Sequence, residues 1–275
     1  MSYGIVDFHV HSAPSLVPRH YNDNELPGIM NLVGVEKFVM KAHEGSTAER
    51  ASLLGGGAIG SIVLNSVVGG ANPDAVETAA KLGARVIWMP TLSARAHRSA
   101  NTASDISVHK NQNFREVKVC QSDGSVCEEW IEIFDLVAEH DLVLASGHIT
   151  MSEAISVFRL ARSRGVKRLL VNHPLLSFLD WQDNQVSDFL ELDAFIEVGI
   201  LADFLAGSIA GLTATERMNK LYPASRLVFG SDLGHCSFPN VVDVMDGWID
   251  NAERSLGGKS VEQIIRQNGS GLVSA

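Results

Sequence analysis

The chain has 275 residues, 45% of them hydrophobic, and a formal net charge of −10. This length and apolar content suit one large α/β domain, whereas the acidic balance argues against a nucleic-acid-binding protein, which would carry a basic stripe. No apolar run approaches the roughly 20 residues that cross a bilayer, and no signal peptide fits between Met1 and the first strand. We therefore expect a cytoplasmic protein that binds a small-molecule substrate, with neither nucleic acid nor membrane as partner. A homo-oligomer is compatible with the sequence.

Apolar strands alternate with amphipathic helices along the chain, as in parallel α/β folds. Continuous apolar runs, typical of strands buried on both faces, lie near residues 4–10, 37–42, 60–66, 85–90, 141–146, 168–172, 194–198 and 226–230. Because barrels of eight strands and eight helices typically contain about 250 residues, these runs predict a single (β/α)8 TIM barrel domain over residues 1–275.

Polar residues mark the predicted helix starts. Ser46, Thr150 and Thr213 each stand three residues before a glutamate, the pattern of a capping box. Asn72, directly before Pro73, predicts another N-cap.

One connection, between strands four and five, is longer than the others and predicts an insertion over about residues 93–128. Its first part, residues 93–113, is polar, and the alternation around Asp123-Gly124 predicts a β-hairpin. Long loops without secondary structure are usually functional lids or disordered. Because this one follows the C-terminal end of a strand, we predict a lid or substrate loop.

Residues that can bind metals follow several of the predicted strands. The first strand contains His9 and runs into His11, and residues two apart on a strand point to the same face. Strands five, six and eight each run into a histidine or an aspartate. Since the strands of a closed parallel barrel end at one common mouth, we expect five side chains to converge there: His9, His11, His148, His173 and Asp232.

Imidazole nitrogens combined with a carboxylate oxygen are typical ligands of a divalent transition metal. We expect Zn²⁺ first, with Mn²⁺, Fe²⁺ or Ni²⁺ also compatible, bound as one ion or two. For any single histidine, capping a strand or bonding a backbone carbonyl would be the simpler interpretation. That interpretation becomes poor for five residues that all follow barrel strands.

The combined pattern resembles the amidohydrolase superfamily, whose members carry His-x-His on strand one, histidines on strands five and six, and an aspartate on strand eight. The chain is also similar to a little-characterised amidohydrolase-related group in three stretches, His11–Ser15, Lys41–Thr47 and Ala138–Leu144. The resemblance spans essentially the whole chain in strand order, but it implies no particular substrate.

The resemblance implies a role for each ligand. His9 and His11 would bind the more buried metal together with Asp232, while His148 and His173 would bind a second metal. In one-metal members the residue matching His148 binds the single ion, and the residue matching His173 contacts substrate or water. Asp232 would also take a proton from the attacking water, so Asp232 and His173 are the expected catalytic residues.

Strand four departs from the superfamily pattern. Two-metal members often bridge their ions there with a carboxylated lysine or a glutamate, and Arg85–Thr91 contains neither. Lys41, at the end of strand two, could be a displaced carboxylated bridge and hence a metal ligand. It could equally be a cation for a substrate carboxylate, or a buried amine paired with Asp232 or Glu44, since an unpaired buried ammonium is very costly. In each case we predict that its side chain points into the barrel mouth.

Four side chains near the strand ends are predicted to bind substrate: Lys41, His43, Arg95 and His235. Arginine suits bidentate binding of a carboxylate. Arg19, His20, His97 and Arg98 offer similar chemistry in neighbouring loops, although solvation is the simpler interpretation for each of them singly.

These residues predict metal-assisted hydrolysis of an amide, lactam or cyclic imide. The ion would lower the pKa of bound water toward about 7, and Asp232 would pass the water proton to the leaving amine. A decarboxylase or other lyase of the same superfamily is the alternative, favoured by the missing strand-four bridge and by the cations Lys41 and Arg95. A non-catalytic metal-binding protein is a third alternative, although it would need neither Asp232 nor the full histidine set.

Overall fold

Eight parallel strands form one sheet whose spatial order follows the sequence. The computed structural model describes residues 4–101, 114–207 and 212–274. The strands are Ile5–Val10 (β1), Val35–Met40 (β2), Ala58–Val63 (β3), Ala84–Trp88 (β4), Val143–Ala145 (β5), Arg168–Val171 (β6), Phe195–Val198 (β7) and Leu227–Phe229 (β8). Beyond β8 the chain returns to β1, where the Asp232 N–H donates to the His9 carbonyl (2.8 Å) and the His11 N–H to the Leu233 carbonyl (3.0 Å). The sheet is thus a nearly closed barrel, and the predicted (β/α)8 fold is confirmed.

Helices lie between the strands and after the last one. They are Leu26–Leu32 (α1), Ala48–Leu54 (α2), Pro73–Lys81 (α3), Arg95–Asn101 (α4), Ile131–Glu139 (α5), Met151–Ser163 (α6), Val186–Glu191 (α7), Ile200–Leu205 (α8), Thr213–Leu221 (α9), Val241–Leu256 (α10), Gly258–Glu262 (α11) and Asn268–Val273 (α12). A π-helical segment, Gln263–Gln267, joins the last two. Within the described ranges, none of these helices combines the length and apolarity needed to span a membrane.

The barrel interior is filled by apolar side chains taken almost entirely from the strands: Val6, Phe8, Val39, Val63, Val86, Trp88, Val143, Ala145, Leu170 and Val228. Leu272 and Val273 of α12 pack against this cluster. A larger apolar cluster joins the strands to the surrounding helices. The terminal helix therefore covers one end of the barrel, and the C-terminal ends of the strands form the other, where barrel enzymes have their active sites.

Two of the predicted helix caps are confirmed. Thr150 Oγ1 accepts from the Glu153 N–H (3.3 Å) and Glu153 Oε2 accepts from the Thr150 N–H (2.9 Å), which completes the capping box of α6. The Asn72 side chain caps α3 by accepting from the Ala75 N–H (3.4 Å).

The other two capping boxes are wrong. Thr47, not Ser46, precedes α2, and its hydroxyl donates to the Met40 carbonyl (2.7 Å) instead of capping the helix. Thr213 is the first residue of α9, and the backbone N–H groups that follow it are bonded by the carboxylate of Asp203. Ser46 Oγ still donates to Glu49 Oε2 (2.8 Å) and accepts from the Ala48 N–H (3.1 Å), so this predicted pair is in contact without forming a capping box. At α9 the contact from Asp203, distant in sequence, replaces the local one, which a sequence pattern does not reveal.

The insertion between β4 and β5 is only partly described, because residues 102–113 lie outside the described ranges. Its beginning forms α4, and its later part turns at Asp123-Gly124, where Cys120 and Val126 form one isolated antiparallel bridge. The predicted lid stays a prediction, and the predicted hairpin corresponds here to a single bridge around a tight turn.

Candidate metal centre and cavity

The strand ends bring all five expected ligands to one cavity of about 470 Å³. This volume lies in the range of small-molecule sites, roughly 300–1,000 Å³. The side chains come from four places around the barrel: His9 and His11 from β1 and its end, His148 after β5, His173 after β6, and Asp232 after β8.

Two imidazoles face the same carboxylate oxygen. Asp232 Oδ1 lies 3.0 Å from His9 Nε2 and 3.3 Å from His11 Nε2. The opposite ring nitrogens are engaged elsewhere: His9 Nδ1 lies 2.9 Å from Glu197 Oε1, and His11 Nδ1 lies 2.8 Å from the Lys41 carbonyl oxygen. With protons on both Nδ1 atoms, each Nε2 presents a lone pair toward Asp232, the orientation found in metal-binding histidines.

This donor set fits a divalent transition metal. Lone pairs of two neutral imidazoles and a carboxylate repel one another unless a cation or a proton lies among them. Metal–ligand bonds of about 2.0–2.2 Å, at angles of about 90–110°, place neighbouring ligand atoms about 2.9–3.5 Å apart. The distances from Asp232 Oδ1 to the two Nε2 atoms fall in this range. His9, His11 and Asp232 could therefore hold one ion.

Burial sets the charge state of the centre. It lowers the pKa of His9 to about 3, against the opposing effect of the Asp232 carboxylate, and it lowers the pKa of His173 to about 4. Burial also raises the pKa of Glu197 to about 7. Neutral imidazole is the form that binds metals, so the chain supplies these histidines ready for binding at neutral pH.

A second group of donors lies beside the first. His173 Nε2 is 4.0 Å from the other carboxylate oxygen, Asp232 Oδ2, and ligand atoms of His9, His173 and Asp232 lie within 4.8 Å of one another. The His148 ring lies 5.0 Å from the His173 ring, centroid to centroid. These donors are compatible with one ion or two.

Backbone strain coincides with two of these residues. His173 has a φ of 31° and Asp232 a φ of 51°, a region that costs about 1–3 kcal/mol for residues other than glycine. The hydrogen bond from the Asp232 N–H to the His9 carbonyl holds one of these strained turns against β1. Strain of this kind concentrates at functional sites.

Lys41 lies at the mouth of the barrel, and its side chain is 2% exposed. Its Nζ is 3.0 Å from His9 Nε2 and 4.3 Å from the centre of the Trp88 ring. Burial lowers the pKa of Lys41 to about 8, although Asp232 and Glu197 act in the opposite direction. The amine is thus close enough to touch a metal ligand.

Of the other predicted substrate-binding residues, two line the cavity and one does not. His43 is buried, and its Nδ1 lies 2.8 Å from Thr91 Oγ1. His235 is also buried and lines the cavity. Arg95 begins α4 as an exposed residue and is absent from the described lining of the cavity.

Three buried residues of the centre were not predicted as site residues. Glu197 of β7 binds His9, and Asp7 Oδ1 accepts from the N–H groups of His9 (3.0 Å) and Ser231 (2.9 Å). His97 of α4 stacks on His148 with centroids 4.8 Å apart, and their Nδ1 atoms lie 2.8 Å apart. In the sequence, Glu197 and Asp7 are acidic residues within apolar strands. Because a buried charge requires a partner, this position could have marked both as candidate site residues.

The barrel fold of this chain is similar to that of several solved structures. An amidohydrolase from Pseudomonas aeruginosa matches with a TM-score of 0.66 at 12% identity, over 99% of this chain and 97% of that chain. A probable 2-pyrone-4,6-dicarboxylic acid hydrolase from Acinetobacter baumannii matches with a TM-score of 0.62 at 10% identity, over 98% of this chain and 99% of that chain. A TatD homologue from Escherichia coli K12 matches with a TM-score of 0.59 at 14% identity, over 99% of this chain and 98% of that chain. At such identities the likeness shows the fold alone.

The chain belongs to DUF6282, a family of unknown function, which matches residues 4–197. No curated protein matches the sequence.

Proposed function

We propose that this protein is a metal-dependent hydrolase in which water attacks a carbonyl group of a small molecule. The observation that carries the proposal is the convergence of His9 Nε2 and His11 Nε2 on one oxygen of Asp232 at the mouth of the barrel. These residues would hold a divalent ion, with Zn²⁺ first and Mn²⁺, Fe²⁺ or Ni²⁺ as alternatives, which would supply Lewis acidity and lower the pKa of bound water toward about 7.

Asp232 is the proposed proton carrier. Its Oδ1 faces His9 and His11, while its Oδ2 lies away from them, 4.0 Å from His173 Nε2. Oδ2 is therefore the oxygen positioned to accept a proton from the attacking water and to deliver it to the leaving group. Asn172 Nδ2 lies 2.9 Å from His173 Nε2 and holds this ring beside the carboxyl group, where it lines the cavity that would hold the substrate.

His43 is the proposed hydrogen-bond donor to the substrate carbonyl. Asn65 Nδ2 donates to Thr91 Oγ1 (2.8 Å), and this oxygen lies 2.8 Å from His43 Nδ1, so the Thr91 hydroxyl can donate its own proton to that nitrogen. In the neutral ring the remaining proton then lies on Nε2. His43 lines the cavity, and an Nε2–H donor there would stabilise negative charge that develops on the carbonyl oxygen.

The proposed substrates are amides, lactams or cyclic imides, because an amine leaving group needs the proton that Asp232 carries. Lactones fit the same machinery with an alcohol leaving group. One structural neighbour is named as a 2-pyrone-4,6-dicarboxylic acid hydrolase, which supports including them in a substrate screen.

The test is Asp232→Asn, assayed on whichever amide, lactam, imide or lactone the native protein hydrolyses. Asparagine can still present an oxygen to the ion, but it cannot carry a proton, so we expect turnover to fall by at least about 100-fold while the fold is retained. Asp246→Asn, on the exposed face of α10, should leave turnover unchanged. Near-native turnover of Asp232→Asn would contradict the proposed mechanism.

A decarboxylase or related lyase is the second candidate, and one observation favours it. Lys41 Nζ lies 3.0 Å from His9 Nε2, where an ammonium would attract the carboxylate that is lost. A decarboxylase has no need of a proton carrier on the attacking water, so retained turnover in Asp232→Asn, with release of carbon dioxide, would favour this candidate.

A further inference from the structure

A cation lies in the cavity with no ion pair to a carboxylate among the described residues. Arg19, in the loop after β1, lines the cavity beside His11 and Asp232. Its Nε donates to Ser15 Oγ (3.2 Å), and within the described residues its two terminal nitrogens have no hydrogen-bond partner. A guanidinium fork held at one nitrogen and open at the other two can bind a carboxylate in the bidentate manner.

His235 lies next to Arg19 and adds a second donor. The two residues form an antiparallel bridge between their backbones. The Ser237 N–H donates to His235 Nδ1 (2.9 Å), so in the neutral ring the proton lies on Nε2. His235 also lines the cavity. Its Nε2–H and the open side of Arg19 are therefore two hydrogen-bond donors on adjacent residues.

Within the described residues the nearby carboxylates form no ion pair with Arg19, although Glu44 Oε2 is buried and has no hydrogen-bond partner. Glu44 Oε1 accepts from Ser15 Oγ (2.8 Å) and from the Leu16 N–H (2.7 Å), and among the described ion pairs none joins Glu44 to Arg19. Asp232 faces the imidazoles of the metal centre. The terminal nitrogens of Arg19 are therefore able to donate to a ligand.

Part of the cavity lining is apolar, and it begins beside His235, whose ring centroid lies 5.6 Å from that of Phe238. Six side chains from the loop after β6, from α8 and from the loop after β8 line it: Leu175, Leu176, Phe178, Leu201, Leu205 and Phe238. A ligand whose polar end meets Arg19 and His235 would thus have this apolar wall beside it in the same cavity.

We propose that Arg19 and His235 form a subsite for a carboxylate of the substrate, separate from the carbonyl that reacts, and that the apolar wall binds a hydrocarbon group of the same molecule. The substrate class is then a small monocarboxylate with an apolar group. A dianion such as a phosphate fits less well, because Glu44 and Asp232 lie close enough to Arg19 to act on its charge. This inference rests on the proposed function in one respect only, because the proposed function gives the position of the reacting carbonyl.

The test is a binding measurement that needs no turnover. Calorimetric titration compares 3-phenylpropanoate with 3-phenylpropan-1-ol, which has the same carbon skeleton without the charge, and with inorganic phosphate. A charge-assisted pair of hydrogen bonds predicts that the native protein prefers the acid over the alcohol by at least about 10-fold. Arg19→Gln should reduce the preference to within about 3-fold. Arg217→Gln is the matched control, since Arg217 lines the same cavity but is already paired with Asp183 (2.8 Å).

The results separate this subsite from the metal centre. A preference for the acid that persists in a His9→Ala, His11→Ala double variant and disappears in Arg19→Gln supports the subsite even if no hydrolysis is ever found. Three results would overturn it: no preference in the native protein, an undiminished preference in Arg19→Gln, or tighter binding of phosphate than of the carboxylate.

Discussion

Glu197 orients His9 from the side opposite Asp232. Its Oε1 lies 2.9 Å from His9 Nδ1, and the residue is 2% exposed. A carboxylate that accepts from the far nitrogen of a metal-binding imidazole fixes the tautomer of the ring and makes its other nitrogen a stronger ligand. Glu197 thereby links β7, which carries none of the expected ligands, to the metal centre.

Replacing Glu197 by glutamine tests this role. The amide oxygen can still accept from His9 Nδ1, but without charge, so we expect the affinity for the metal to fall by about 10- to 100-fold. Competition with a chelator of known affinity measures the change. Glu191→Gln, at the exposed end of α7, should leave the affinity unchanged, and an unchanged affinity in Glu197→Gln would show that the contact is only structural.

At the scale of elements, Asp203 holds α8, which contributes Leu201 and Leu205 to the apolar wall of the cavity, against two other helices. It lies on α8 and is 1% exposed. Its oxygens accept from the N–H groups of Ala214 (2.8 Å) and Thr215 (2.9 Å), from Thr215 Oγ1 (2.7 Å) and from Trp248 Nε1 (2.9 Å). One carboxylate therefore joins α8 to α9 and α10.

Asp203→Ala should lower the free energy of unfolding by about 2–4 kcal/mol, because it leaves several buried donors without an acceptor. Asp203→Asn should cost less, since one oxygen remains, although its NH₂ group would face Thr215 Oγ1 or Trp248 Nε1. Urea unfolding measures both variants. Asp250→Ala, on the exposed face of α10, serves as control, and equal stability of Asp203→Ala and this control would refute the role.

At the scale of the whole molecule, the sequence was sufficient for the barrel. Strands covered on both faces become continuous apolar runs, so all eight strands were predictable within a few residues. The five expected ligands reach one mouth because parallel strands of a closed barrel end together. Glu197 was missed because it lies inside one of those apolar runs. The argument used for Lys41, that a buried charge needs a partner, holds equally for Glu197.

The substrate-binding residues were harder to predict, because their directions depend on where a helix begins. Arg95 and His97 are two residues apart on α4, so their side chains point about 200° apart around the helix axis. His97 therefore reaches His148, while Arg95 is exposed. The sequence showed both residues after strand four but did not show the helix that separates them.

The most direct test of the account is an element-resolved measurement of metal per chain in the purified protein. His9, His11 and Asp232 are expected to retain about one or two divalent transition-metal ions per chain. His9→Ala combined with His11→Ala should remove the bound metal, whereas His140→Ala, at the end of α5, should not. A native protein that retains no transition metal, or a double variant with unchanged metal content, would contradict the central claim.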